Sequence, residues 1–80
     1  MFHECQVVFM ERFGEKLRFL RKRDGMTLKE LALATRLTTH SHVSNIERGR
    51  KKPSLEFVIE VSELFGVTID QLVKDDLELD

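Results

Sequence analysis

Tryptophan and tyrosine are absent, and cysteine and proline occur once each. With only Cys5 available, no internal disulfide can hold the chain together, and this usage fits a reducing, cytoplasmic compartment. No apolar run approaches the roughly 18 residues of a membrane span, and no basic segment precedes an apolar stretch as in a secretion signal. The core must therefore be assembled from Leu, Val, Ile and six Phe. Eighty residues supply one domain, near the lower size at which a single core is self-sufficient. The parts of an enzyme are missing too. No nucleophile stands beside a plausible base and orienting group, no glycine-rich phosphate cradle is present, and there is little room for a deep pocket. No catalytic residue, cofactor or small-molecule substrate is expected.

The net charge of −1 conceals a strong polarity. Residues 1–52 carry twelve Lys/Arg against six Asp/Glu, whereas residues 53–80 carry one Lys against eight Asp/Glu. Ordinary solvated helix surfaces would produce part of this split. The rest implies a basic face for a polyanion and an acidic end directed elsewhere.

What is present is helical. Gly25, Gly49, Gly66 and Pro53 fall between segments whose apolar residues recur at i, i+3 and i+4. The spacing predicts a first helix over residues 11–24, with Phe13, Leu17 and Leu20 inward. Thr27 and Glu30 form a capping box that opens a second helix, which buries Leu28, Leu31 and Ala32 and stops near Thr35 or Arg36. A third helix carries Val43 and Ile46 inward and ends at Gly49. After the basic loop Arg50-Lys51-Lys52-Pro53, Ser54 caps a fourth helix that runs to Gly66, with Leu55, Val58, Ser62 and Phe65 inward. Thr68 and Gln71 form a second capping box for a short fifth helix ending near Val73 or Lys74. The expected fold is all-α, a compact five-helix domain over residues 11–74. An acidic tail, residues 75–80, is expected to fray. Residues 1–10 read equally as a helical extension, a short strand or a separate arm.

Residues 27–49 form a capped helix, a tight turn and a second helix that begins with small polar side chains. Ala32 permits close approach where the two helices cross, and Leu37, Val43 and Ile46 anchor the second helix. Its free side starts with Thr39, His40, Ser41 and His42 and continues to Asn45. Hydrogen-bonding groups at such a helix start can read base edges in a major groove. Arg48, Arg50, Lys51 and Lys52 follow, where cations would meet phosphates. His40 and His42 have H-x-H spacing, but residues two apart on a helix diverge and no Cys or carboxylate completes a ligand set. His3 with Cys5 supplies only two ligands. No metal is expected.

From Arg12 to Val73 the chain resembles the Cro and lambda-repressor-like (XRE-type) helix-turn-helix family. The resemblance rests on Leu17, Leu20 and Arg21 before Gly25, and on Leu31, Ala32, Leu37, Ser44, Ile46, Glu47, Arg48 and Gly49. It continues through Pro53-Ser54-Leu55, Gly66-Val67-Thr68 and Asp70-Gln71-Leu72. The chain differs in having Arg36 where the family usually has Gly in the turn, one extra residue between Leu37 and Val43, and Leu28 where many members have Gln. The resemblance implies a recognition helix starting near His40 and a homodimer on dyad-symmetric double-stranded DNA. Thr39, His40, Ser41, His42 and Asn45 would then face bases, and Thr27, Lys29, Arg48, Arg50, Lys51 and Lys52 would face phosphates. Phe57, Leu64, Ile69 and Val73 are the candidate dimer surface, because apolar groups seven apart suit a helix-to-helix contact. Widening of the core face explains Phe57 and Leu64 equally well. The expected role is a transcriptional regulator, a repressor in the first instance. The alternative is an antitoxin-like or accessory module that uses the same fold to bind a protein partner.

Overall fold

A computed structural model describes residues 12–36, 39–74 and 79. Five α-helices follow in order: α1 (Phe13–Arg23), α2 (Leu28–Thr35), α3 (His40–Glu47), α4 (Leu55–Phe65) and α5 (Ile69–Val73). The expected architecture is therefore present. Glu11 and the arm, residues 1–10, lie outside the described residues, as do Leu37, expected to anchor the third helix, and Thr38.

Side-chain caps set the starts of α2, α3, α4 and α5, whereas Arg12 supplies none to α1. Thr27 Oγ1 accepts from the Glu30 amide at 3.0 Å while the Thr27 amide donates to Glu30 Oε1 at 2.8 Å. Ser54 Oγ accepts from the Phe57 amide, and Thr68 with Gln71 repeats the reciprocal box. Each such cap contributes roughly 1 kcal/mol by satisfying amides that the first turn leaves without partners. At the other end of α3, Gly49 adopts φ +79°, and the Gly49 and Arg50 amides donate to the carbonyls of Ile46 and Asn45. This left-handed closure turns the chain sharply into the basic loop.

The core unites all five helices. Phe13, Leu17 and Leu20 of α1 meet Leu31 and Ala32 of α2, Val43 and Ile46 of α3, Phe57, Val58, Val61 and Phe65 of α4, and Leu72 of α5. Phe13 and Phe57 pack edge to face with ring centroids 6.4 Å apart. Burying each of the larger side chains contributes roughly 1.5–3 kcal/mol.

Two expectations for α4 need correction. Leu55 was placed inward but is 69% exposed, because it is the first helical residue after the Ser54 cap and Val61 takes the inward position. Phe57, a candidate for the partner-facing side or equally for a widened core face, is only 2% exposed and enclosed against Phe13. It is a core residue and leaves the candidate dimer surface. Ser62 is half-buried, and its hydroxyl donates to the Val67 carbonyl at 2.7 Å, which closes the turn after α4. Within the acidic tail only Leu79 is among the described residues, and it packs against the core.

Arg36 ends α2 with φ +61°, the one left-handed non-glycine residue among those described. A side chain in this conformation costs on the order of 1–2 kcal/mol, partly offset because glycine has more backbone freedom to lose on folding. Arg36→Gly is therefore expected to stabilise the fold by roughly 0.5–1 kcal/mol. Urea titration of the two proteins checks this, and an unchanged or lowered midpoint would contradict it.

Candidate nucleic-acid interface

Helices α2 and α3 pack together through Leu31, Ala32, Val43 and Ile46, which leaves the remaining side of α3 facing outward. Successive residues turn by about 100°, so Ser41, Asn45 and Arg48 fall along one line nearly opposite Val43 and Ile46. Ser41 and Arg48 are exposed and Asn45 is half-buried. His40 is exposed on one flank, and His42 lies half-buried on the other, nearer Ile46. Thr39 holds the N-cap, its hydroxyl oxygen accepting from the His42 amide at 3.3 Å. Its hydroxyl oxygen therefore already serves the helix start.

Cations surround this line. Arg48, Arg50, Lys51 and Lys52 are all exposed, and none forms an ion pair among the described residues. Among the described residues Arg12, Arg21, Arg23 and Lys74 each have a carboxylate partner, whereas Arg18, Lys22, Lys29 and Arg36 are exposed without one. It is thus the clustering of the four at the end of α3 that sets them apart. Lys29 is exposed in the first turn of α2, next to Thr27, whose oxygen already accepts the Glu30 amide. The start of α2 and the loop after α3 therefore both carry exposed cations.

Two features that hold α3 in place were not read as such from the sequence. The Arg21 guanidinium donates Nε to Glu47 Oε2 at 2.7 Å and Nη2 to Glu47 Oε1 at 3.1 Å. Its Nη1 donates to the Met26 carbonyl at 2.9 Å. The side chains are 11% and 6% exposed, so the pair is a nearly enclosed fork rather than a surface contact. Gly14 is the second feature. A Cβ there would overlap the carbonyl oxygens of Ile46 and Glu47, the latter at 2.6 Å, so α1 crosses the end of α3 at a distance only glycine allows. Arg21 and Glu47 were visible as charges beside inward positions, whereas Gly14 offered no signal until its neighbour was known.

A helix pair with a polar outward line and a basic loop at its end is the arrangement of a helix-turn-helix DNA-binding domain. The chain belongs to the HTH_3 helix-turn-helix (XRE-type) family, whose pattern matches residues 17–72. It is 37% identical over 60 residues to the HTH-type transcriptional regulator DdrOP3 of Deinococcus deserti, a match covering 75% of this chain and 46% of that protein. The chain thus spans about half the length of this curated relative. The N-terminal DNA-binding domain of SinR from Bacillus subtilis superposes with a TM-score of 0.71 at 32% identity, over 78% of this chain and 90% of that one. The P22 c2 repressor, solved in complex with a synthetic operator, gives 0.73 at 25% identity, over 80% and 96%.

Proposed function

We propose that this chain is a sequence-specific DNA-binding transcriptional regulator that acts as a repressor and binds a dyad-symmetric operator as a homodimer. The outward line Ser41–Asn45–Arg48, continued by the clustered exposed cations Arg50, Lys51 and Lys52, is the observation that carries this reading. Asn45 and Ser41, flanked by His40, His42 and Thr39, read base edges, each well-read base pair adding discrimination of about 1–3 kcal/mol. Arg48, Arg50, Lys51 and Lys52, with Thr27 and Lys29 at the start of α2, meet the phosphates on either side. Two copies joined through Leu64, Ile69 and Val73 present their α3 helices to half-sites about 34 Å apart. Leu64 and Ile69 are 40% and 39% exposed, so both side chains are accessible to a second copy.

Selection from random duplex DNA, followed by titration of the winning sequence across a salt series, tests the reading. A dyad-symmetric winner with affinity falling steeply as salt rises supports it. Weak binding without an enriched motif would instead direct attention to a protein partner on the same scaffold. Replacing Lys51 and Lys52 together with Ala is expected to weaken binding to every sequence and to flatten the salt dependence. The slope of log affinity against log salt should shrink by about 1.8, roughly 0.9 per lost phosphate contact. An unaltered slope in this variant would remove both lysines from the interface.

A further inference from the structure

Lys16 is 2% exposed, an unusual place for an ammonium group, and it lies on the side of α1 that meets α5. Its Nζ donates to the carbonyl of Gln71 at 2.5 Å and to that of Lys74 at 2.7 Å. These oxygens lie at the C-terminal end of α5, where the last turn leaves carbonyls without intrahelical donors and partial negative charge accumulates. A helix of five residues is too short to persist without outside support. The Thr68–Gln71 box supports its start, Leu72 anchors it in the core, and the α1 ammonium closes its end.

The same helix also holds α3. Gly14 permits contact with the last α3 carbonyls, and Arg21 forks onto Glu47. Around α1, Lys16 is separated from Gly14 and Arg21 by well over a quarter turn, at about 100° per residue. One helix thus joins α3 on one side to α5 on the other, and α5 carries the exposed Ile69 while α4, which packs on α5, carries the exposed Leu64.

We propose that Lys16 is a positioning residue for operator spacing: by closing the end of α5 it fixes the self-association surface relative to α3. This deepens the proposed function and rests on its homodimer. These two contacts are to main-chain carbonyls and so do not depend on which side chains α5 presents outward. The DNA contacts proposed for one subunit come from α2, α3 and the loop after α3, and none from α5. The distance between the two α3 helices of a dimer needs α5 in place.

The test compares the full chain with Lys16→Met and Lys16→Arg on three duplex sets: the selected dyad site, the same half-sites moved apart by one or two base pairs, and a single half-site. Wild type is expected to prefer the selected spacing at least tenfold. Lys16→Met, with its helical circular dichroism retained, should bind the single half-site within twofold of wild type while its spacing preference falls below threefold. Lys16→Arg keeps a cation for both carbonyls and should recover most of that preference. Wild-type spacing preference in a folded Lys16→Met would overturn the proposal. So would an equal loss on all three duplex sets, or loss of the helical signal, since either would make Lys16 a residue of the whole fold. If wild type itself shows no spacing preference, the homodimer reading fails first, and the proposal falls with it.

Discussion

Gly14→Ala is expected to lower the thermal midpoint by more than 10 °C. The added methyl would have to occupy space held by the carbonyl oxygens of Ile46 and Glu47, which are main-chain atoms at the end of α3 and cannot swing aside. Overpacking of this kind costs typically 1–3 kcal/mol, and rigid neighbours place this case at the upper end, about 3 kcal/mol. For a domain of this size each kcal/mol moves the midpoint by roughly 4–8 °C. If the fold survives by letting α1 and α3 separate, the recognition helix is displaced, and DNA affinity falls even at temperatures where the variant remains folded. Calorimetry with DNA titration at low temperature checks both parts. A midpoint within 3 °C of wild type would show that the crossing relaxes at little cost.

The Arg21–Glu47 fork should produce the second large effect. Glu47→Ala leaves a guanidinium that is almost fully enclosed with only the Met26 carbonyl as a partner, and Arg21→Ala leaves the carboxylate stranded. Breaking one side of such a pair costs about 3–5 kcal/mol, most of it the penalty for the charge left behind. Replacing both residues by Met should therefore cost less than either single change to Ala, because no unpaired charge remains. A double-mutant cycle of Arg21→Ala, Glu47→Ala and the two together, measured by urea unfolding beside the double Met variant, reads the coupling. Additive losses would mean that the two side chains act independently despite their geometry. The Ala variants should also bind DNA less well than their stability alone dictates, since Glu47 is the last residue of α3.

How much of this was legible in the sequence follows from the range of the interactions involved. Helix starts were readable because Thr27–Glu30 and Thr68–Gln71 complete their caps within four residues. The inward faces of α1, α2 and α3 were readable because each has a narrow apolar stripe. Helix α4 was harder: Leu55, Phe57, Val58, Ile59, Val61, Leu64 and Phe65 surround much of its circumference, so spacing alone allowed more than one phase. The contact of Phe57 with Phe13, 44 positions away, selects the phase. Lys16 borders the stripe formed by Phe13, Leu17 and Leu20 but was not read as inward, because the carbonyls that receive its ammonium lie 55 and 58 positions away. Gly14 was silent, since a missing Cβ acquires meaning only against a particular neighbour. In the candidate interface the polar helix start and the basic loop were plain, while the direction of each α3 side chain required the packed helix.

The alternation along α3 has a consequence for how this domain can change its target. Val43, Ile46 and Glu47 hold the helix in the body, whereas Ser41, Asn45 and Arg48 lie on the other side, and neither Ser41 nor Asn45 has a side-chain hydrogen bond among the described residues. The loop beyond is set by main-chain bonds at Gly49, not by the side chains of Arg50, Lys51 or Lys52. In the proposed interface, stability and target choice are therefore written in different letters of the same short word. Drift at the outward positions would redirect the domain to new DNA without passing through an unfolded intermediate.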